Sequence, residues 1–236
     1  MLIALWSVKG GVGTTTTAAL LARRSAANGA PTLALDLSGD LGAALGLPTD
    51  AAPGVLDWLR SASPPPDALG RLEVPSAPGL SVLPLGAPAE PDAGDAPTQH
   101  DGILRLAAGC SATTRTVIAD LGRLGPGHED RWLPVLNAAR RSLLVVRPCY
   151  LGLRRAAHCP ARPHGLIVIS DPGRALRAAD AAEVVGVPVA LELTVDPGVA
   201  RMVDAGLAAA RSPRGLERVL DDALERLDAL EPANRR

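Results

Sequence analysis

Phenylalanine is absent from this chain, and tyrosine and lysine each occur once, the lysine at Lys9. With so few aromatics, Ala, Leu and Val supply most of the 47% apolar residues. No stretch approaches the roughly 18 consecutive apolar residues of a membrane span. There is no excess of either charge: 24 Lys and Arg face 25 Asp and Glu, a net of −1. No overall field therefore draws the chain to nucleic acid or to anionic lipid. Three cysteines, Cys110, Cys149 and Cys159, make no even framework, which fits a reducing, cytoplasmic setting. The opening MLIALWSVKGG is too short and lacks the basic flank of a signal peptide.

What is present reads as one α/β domain over residues 1–236, long enough to bury a core. Short apolar runs at Leu2–Trp6, Thr32–Leu37, Leu80–Leu85, Thr116–Ala119, Ser142–Val146, Leu166–Ile169 and Val187–Leu193 are strand candidates. Helical patterns lie between them at Thr15–Ala27, Ile103–Ala108, Arg131–Ala139, Leu151–Ala157, Arg174–Val184 and Val199–Ala209. Continuously apolar strands alternating with helices predict a doubly wound, mostly parallel sheet of about seven strands, covered on both faces. Pro/Gly/Asp-rich segments around 61–70 and 86–102 read as surface loops, and a last helix is expected around 213–230.

The first strand runs into SVKGGVGTTTTAALLA, Ser7 to Ala22. Glycines at 10, 11 and 13 between a strand and a helix let backbone N–H groups converge on an anion at the helix N-terminus. Thr15 and Thr16 open that helix, with the Thr15 hydroxyl placed for Mg²⁺. A chain with 23 arginines keeps its one ammonium, Lys9, directly before these glycines. A lysine is a compact charge that reaches a phosphate, whereas an arginine is a bulky planar fork. A glycine-rich turn with no ligand is the competing reading, and the strand, the helix and the placed lysine weigh against it.

The stretch VKGGVGTTT resembles the loop of the ParA/MinD family of deviant Walker A P-loop ATPases. Lys9 falls at the family's signature lysine, which reaches across a nucleotide sandwich dimer. The resemblance continues through LALDLSGDLGAALGLP, with Asp36 at the first aspartate of switch I, and RTVIADLGRLG, with Asp120 at the acidic Walker B position. It covers most of the chain. It implies a P-loop NTPase fold, ATP or ADP with Mg²⁺ as cofactors, and a nucleotide-dependent homodimer. Nucleotide contacts fall to Lys9, Gly10, Gly11, Val12, Gly13, Thr14, Thr15 and Thr16, and Mg²⁺ to Thr15 and Asp120. Lys9, Asp36, Asp40 and Asp120 are the candidate catalytic residues.

Departures from the pattern bear on activity. Thr14 stands where the family has the Walker A lysine that bridges the β- and γ-phosphates. Ser38 stands where a second aspartate orients the attacking water. Losing one charge-assisted contact, ~1.5–3 kcal/mol, weakens binding roughly 10- to 150-fold, and hydrolysis needs more than holding. Asp40, two residues on, is the candidate to stand in for the water-orienting aspartate, but a helix N-cap is the favoured reading for such a residue. Ser170 and Asp171 fill the place of the family's base-reading Asn-Lys/Arg pair, and Thr194–Gly198, TVDPG, resembles its proline-aspartate loop. The pattern is closest to the CpaE/TadZ and septum-site-determining-like branch, whose members often lack the Walker A lysine and place a machine in the cell.

Weaker signals compete with bland readings. Cys149, His158, Cys159 and His164 fit no common zinc spacing and read as incidental. The pairs Arg23–Arg24, Arg140–Arg141 and Arg154–Arg155 could touch DNA phosphates, but they sit near helix ends, where cations are favourable anyway. Nucleic acid is thus a weakly supported partner. The stretch LERVLDDALERLDAL carries an apolar helical stripe whose polar face is net −3, the wrong sign for an anionic lipid surface. It is expected to pack on the body or on a partner, not to anchor in a membrane.

Three functions are consistent with these residues: a nucleotide-binding positioning or assembly factor with little or no hydrolysis, an active Mg²⁺-dependent ATPase, and a nucleotide-independent scaffold. Lys9 and Thr15 weigh against the last, Thr14 and Ser38 against the second. The protein partner or cargo is not legible in one chain.

Overall fold

The computed structural model describes residues 1–48, 53–61, 63–65, 67–87, 98–125, 130–210 and 215–229. The chain order is β1 (Leu2–Ser7), α1 (Thr14–Ala27), β2 (Thr32–Asp36), α2 (Leu41–Ala44), α3 (Val55–Leu59), α4 (Ala68–Arg71), β3 (Val74–Ala77), β4 (Leu80–Leu83), α5 (Thr98–Ala112) and β5 (Thr116–Arg123). It continues through a 3₁₀ turn (Asp130–Trp132), α6 (Leu133–Ala138), β6 (Arg141–Val146), α7 (Tyr150–Ala157), β7 (Gly165–Ser170), α8 (Ala178–Val185), β8 (Val189–Thr194), α9 (Pro197–Asp204) and α10 (Leu216–Ala229).

The eight strands form one sheet in the order β3-β4-β2-β5-β1-β6-β7-β8, parallel throughout except for β3 against β4. The fold is the doubly wound α/β arrangement expected from the alternating pattern, with one strand more than the seven anticipated. The additional strand, β3, is at the edge, where Pro75 withholds an N–H that no neighbour requires.

Both faces of the sheet are covered, so the central strands are buried along their length. Alternate residues of β1 separate into two cores: Leu2, Ala4 and Trp6 on one face, Ile3 and Leu5 on the other. Helices α3, α5, α6, α7 and α8 cover the first; α1, α2 and α10 cover the second.

Several boundaries differ from the sequence expectation. Helix α5 begins at Thr98, inside the segment read as a loop, and runs to Ala112. Helix α2 follows Asp40 as its N-cap reading implies, whereas the short helices α3 and α4 have no counterpart in the sequence expectation, and α4 overlaps the end of the loop read around 61–70. Helix α8 starts at Ala178 rather than Arg174, because Asp180 accepts the Arg177 N–H at 2.7 Å and fixes the first turn there. The middle of the loop around 86–102 and both ends of the stretch around 213–230 lie outside the described residues.

Helix α10 lies on α1 and β8, burying Leu220, Ala223 and Leu227. Arg24 donates to both oxygens of Asp221 at 2.6 Å, joining α1 to α10. Buried Arg141 donates to the carbonyls of Leu227 and Asp228 at the end of that helix. Arg23 donates to the Ala209 carbonyl at 3.0 Å. Arg23, Arg24 and Arg141 thus serve internal contacts, while Arg140, Arg154 and Arg155 are exposed. Among the described residues, no helix is long and apolar enough to cross a membrane.

Candidate functional site

The site lies at the carboxyl ends of β1, β2 and β5, central neighbours in the sheet. Strand β1 ends at Ser7, and the chain returns into α1 through the glycine loop. Gly11 and Gly13 both have positive φ, +71° and +99°, so an L side chain there would be strained. Buried Val12 fastens the loop to the core, and the Thr17 hydroxyl donates to the Gly13 carbonyl at 2.8 Å.

A cavity of about 770 Å³ opens over this loop, lined by Gly10, Gly11, Gly13, Thr14, Thr15 and Thr16 together with Ser38, Asp40, Arg123, Arg131 and Trp132. A second cavity, about 780 Å³ and more apolar, lies across the loop and shares Gly11, Gly13 and Thr16 with the first. Its walls include Val12, Arg147, Ile169 and residues Thr194 to Pro197 of the TVDPG loop, with Leu216 and Val219 of α10. The glycine loop therefore sits between a polar cleft and a greasier one, a layout that fits a ligand with an anionic end and a flat apolar end.

Behind the polar cleft lies a buried acidic centre. Asp36 and Asp120 are register partners on β2 and β5, 2% and 0% exposed. Asp36 accepts the N–H groups of Ser38 (3.0 Å), Gly39 (2.7 Å) and Gly42 (3.1 Å), so its carboxylate shapes the turn into α2. Asp120 accepts the Gly122 N–H at 2.9 Å and the hydroxyls of Thr15 and Ser38. The Ser38 hydroxyl lies 2.8 Å from Asp120 and 3.3 Å from Asp36, a neutral bridge between two carboxylates. Burial pushes the Asp120 carboxyl up to about 6, opposed by the hydrogen bonds from Thr15, Ser38 and Gly122. Burial likewise raises Asp36 above the ordinary carboxylate range.

The structure brings most of the sequence candidates together and separates others. Thr15 and Asp120 meet through a hydrogen bond. Two oxygen donors of this kind, one a carboxylate, suit a hard cation such as Mg²⁺. Thr14 is buried and lines the polar cleft, leaving no cation at that position of the loop. Asp40 occupies the N-cap position of α2, but its side chain caps nothing; it is exposed and lines the cleft. Lys9 points elsewhere, with its ammonium 3.9 Å from the Cys149 sulfur. Ser170 donates to Glu192, and Asp171 pairs with Arg147 at 2.7 Å and Arg174 at 3.3 Å, so these carboxyl and hydroxyl groups are already engaged. His164 accepts the Ser142 N–H, His158 contacts the Arg154 carbonyl, and Cys149 caps α7. Among the described residues no group of three or more such side chains could hold a metal ion.

Arg123, Arg131 and Trp132 escaped the sequence reading. The Arg131 guanidinium stacks 4.7 Å from the Trp132 ring centre. Arg123 follows Asp120 by three residues, a spacing that places it at the same strand end.

No protein-family model matches the chain, and no curated protein matches it. Solved structures do. MinD from Aquifex aeolicus, a cell division protein, superimposes with a TM-score of 0.75 at 18% identity, covering 99% of each chain. A ParA family ATPase from Chlorobium tepidum gives 0.71 at 20% identity, covering 94% of this chain and 97% of that one. The septum site-determining protein MinD of Pyrococcus horikoshii, complexed with Mg-ADP, gives 0.70 at 18% identity over 97% and 96%. The fold is that of the MinD and ParA ATPases.

Proposed function

We propose that the chain is a degenerate member of the ParA/MinD family, a single domain that binds ATP or ADP with Mg²⁺ at residues Lys9 to Thr16. In this reading it acts in the cytoplasm as a nucleotide-dependent homodimer that positions or assembles a cellular machine, in the manner of the CpaE/TadZ and septum-site-determining-like branch, with hydrolysis at or near background.

One observation carries it: an intact glycine cradle opens beside a Thr15–Asp120 pair, yet both residues lining the cleft at the family's charged positions, Thr14 and Ser38, are neutral hydroxyl residues. The loop N–H groups would hold the phosphates, and Thr15 with Asp120 would hold Mg²⁺. A bound Mg²⁺ would supply the charge neutralisation that phosphoryl transfer needs. Ser38, drawn onto Asp120, is turned into the acidic centre, and a hydroxyl there has no charge with which to polarise water. Lys9 would leave Cys149 to meet nucleotide across the dimer.

A second reading has its own support. Asp40 lines the cleft with no hydrogen-bond partner among the described residues, so its carboxylate is available to orient water in an active ATPase. Phosphate release by the unmodified protein, Thr14→Lys, Ser38→Asp and the double variant separates the two. Background release from the first three supports the degenerate reading. Turnover by the unmodified chain that disappears in Asp40→Ala establishes the second.

A further inference from the structure

Arg123 ends β5 beside Ser7 of β1 and lines the polar cleft with Gly10, Gly11 and Thr14. Among the described residues it makes no hydrogen bond and no ion pair, and its Nε is buried without a partner. The other arginines held in the body of the fold find acceptors: Arg24 on Asp221, Arg115 on Glu73, Arg141 on the carbonyls of α10, and Arg147 through its Nη2 on Asp171. A buried N–H donor without an acceptor is costly, and a cationic one more so. Arg123 thus lines the cleft as a donor with no acceptor among the described residues.

The chemistry of the cleft says what that acceptor is. Its walls carry Asp40, with Asp120 and Asp36 behind; position 14 contributes no cation, and the other lining arginine, Arg131, is stacked on Trp132 at the rim. An anion entering over the glycine loop needs a positive group in cis, and a guanidinium presents two parallel N–H donors that match phosphate oxygens.

We infer that Arg123 is the phosphate-binding cation of this site, engaging the terminal phosphate of a nucleoside triphosphate in place of the ammonium absent at Thr14. The inference rests on the nucleotide-binding reading above. It makes Arg123 a discriminator of triphosphate from diphosphate.

The test is calorimetric titration of ATP and ADP, each with Mg²⁺, into the unmodified protein, Arg123→Gln, Arg123→Lys and the double variant Arg123→Gln with Thr14→Lys. Loss of one charge-assisted contact predicts ATP binding ~10- to 100-fold weaker in Arg123→Gln, with ADP changed less than about threefold. Arg123→Lys should retain part of the ATP affinity, and Thr14→Lys should recover it in the Gln background. Thermal unfolding without ligand should be unchanged or shifted upward, because the side chain has no partner to lose and its buried Nε is unsatisfied. Unchanged ATP affinity, or equal losses for ATP and ADP, overturns the assignment and leaves nucleotide binding standing. If Arg123→Gln does not fold, ATP affinity in Arg123→Lys equal to that of the unmodified protein, or lowered no more than that of ADP, overturns it. No nucleotide binding by the unmodified protein overturns the parent reading and this inference together.

Discussion

The Ser38 hydroxyl donates to Asp120 at 2.8 Å, closing a hydrogen-bonded link between the turn after β2 and the end of β5. That contact fixes what substitutions at position 38 can do. An aspartate there would not simply face the cleft; it would meet Asp120 and Asp36, both buried. Two like charges at close range disfavour ionisation and destabilise the fold. Ser38→Asp should therefore lower Tm in magnesium-free buffer at neutral pH by about 4–8 °C, equivalent to ~2 kcal/mol for a chain of this size. Adding Mg²⁺, or lowering the pH to about 5 where a carboxyl at such a site takes up a proton, should restore most of it. Equal Tm values for Ser38→Asp and the unmodified protein in metal-free buffer would show that the turn swings outward.

The pH response of the metal-free protein follows from Asp120. Its folded value, about 6, lies above the unfolded value of 3.8. Between these values the native state binds more protons at this group than the unfolded one, so the contribution of Asp120 to stability is greatest below about pH 4 and is lost as pH rises through 6. Asp120→Asn should remove that decline and raise neutral-pH stability, by an amount on the order of 2–3 kcal/mol at most. Urea unfolding at pH 4 and pH 7 tests it. A larger gain at pH 4 than at pH 7 would contradict the assignment. With Mg²⁺ present the unmodified protein should gain stability and Asp120→Asn should gain less.

Gly13→Ala probes the cradle. The added Cβ would lie 3.7 Å from Ile169, an ordinary contact, so the cost arises from φ +99° and not from crowding. A left-handed conformation costs an L residue about 1–2 kcal/mol, so Tm should fall by about 2–8 °C, with nucleotide affinity falling as the N–H groups splay. Unchanged affinity would show that the loop N–H groups do not hold the ligand.

Much of this arrangement was legible in the sequence. The β1–loop–α1 unit is local: a continuous apolar run, glycines, then a helix, all within Leu2–Ala27. The same holds for Thr15, marked by its place at the start of the helix after the glycines, and for Asp120, marked by the apolar run before it. What was not legible depends on contacts distant in sequence. Strand β3 contains Pro75, is only partly buried and becomes a strand by pairing with β4. The direction of Ser38 is set by Asp36 and Asp120, the latter 82 residues away. The Arg24–Asp221 pair spans 197 residues. Asp40 shows the limit of a local rule: it occupies the N-cap position of a single-turn helix and does not cap it.

Thr14→Lys should tighten nucleotide binding by about an order of magnitude, the low end of one restored charge-assisted contact, without producing turnover. Holding the transferred phosphoryl group and orienting the water are separate contributions to one transition state. Thr14→Lys together with Ser38→Asp could turn over where Mg²⁺ offsets the crowding of carboxylates. An affinity unchanged or reduced in Thr14→Lys would show that the loop has reshaped around the buried threonine.

On the proposed reading this glycine loop binds Mg²⁺-nucleotide while the cleft beside it lacks hydrolytic power. Calorimetric titration of the unmodified protein with ATP and Mg²⁺, followed by phosphate release on the same sample, tests it most directly. Saturable binding in the micromolar to near-millimolar range is expected, with release at background. Neither heat nor a thermal shift at saturating millimolar nucleotide, or sustained phosphate release, would contradict it.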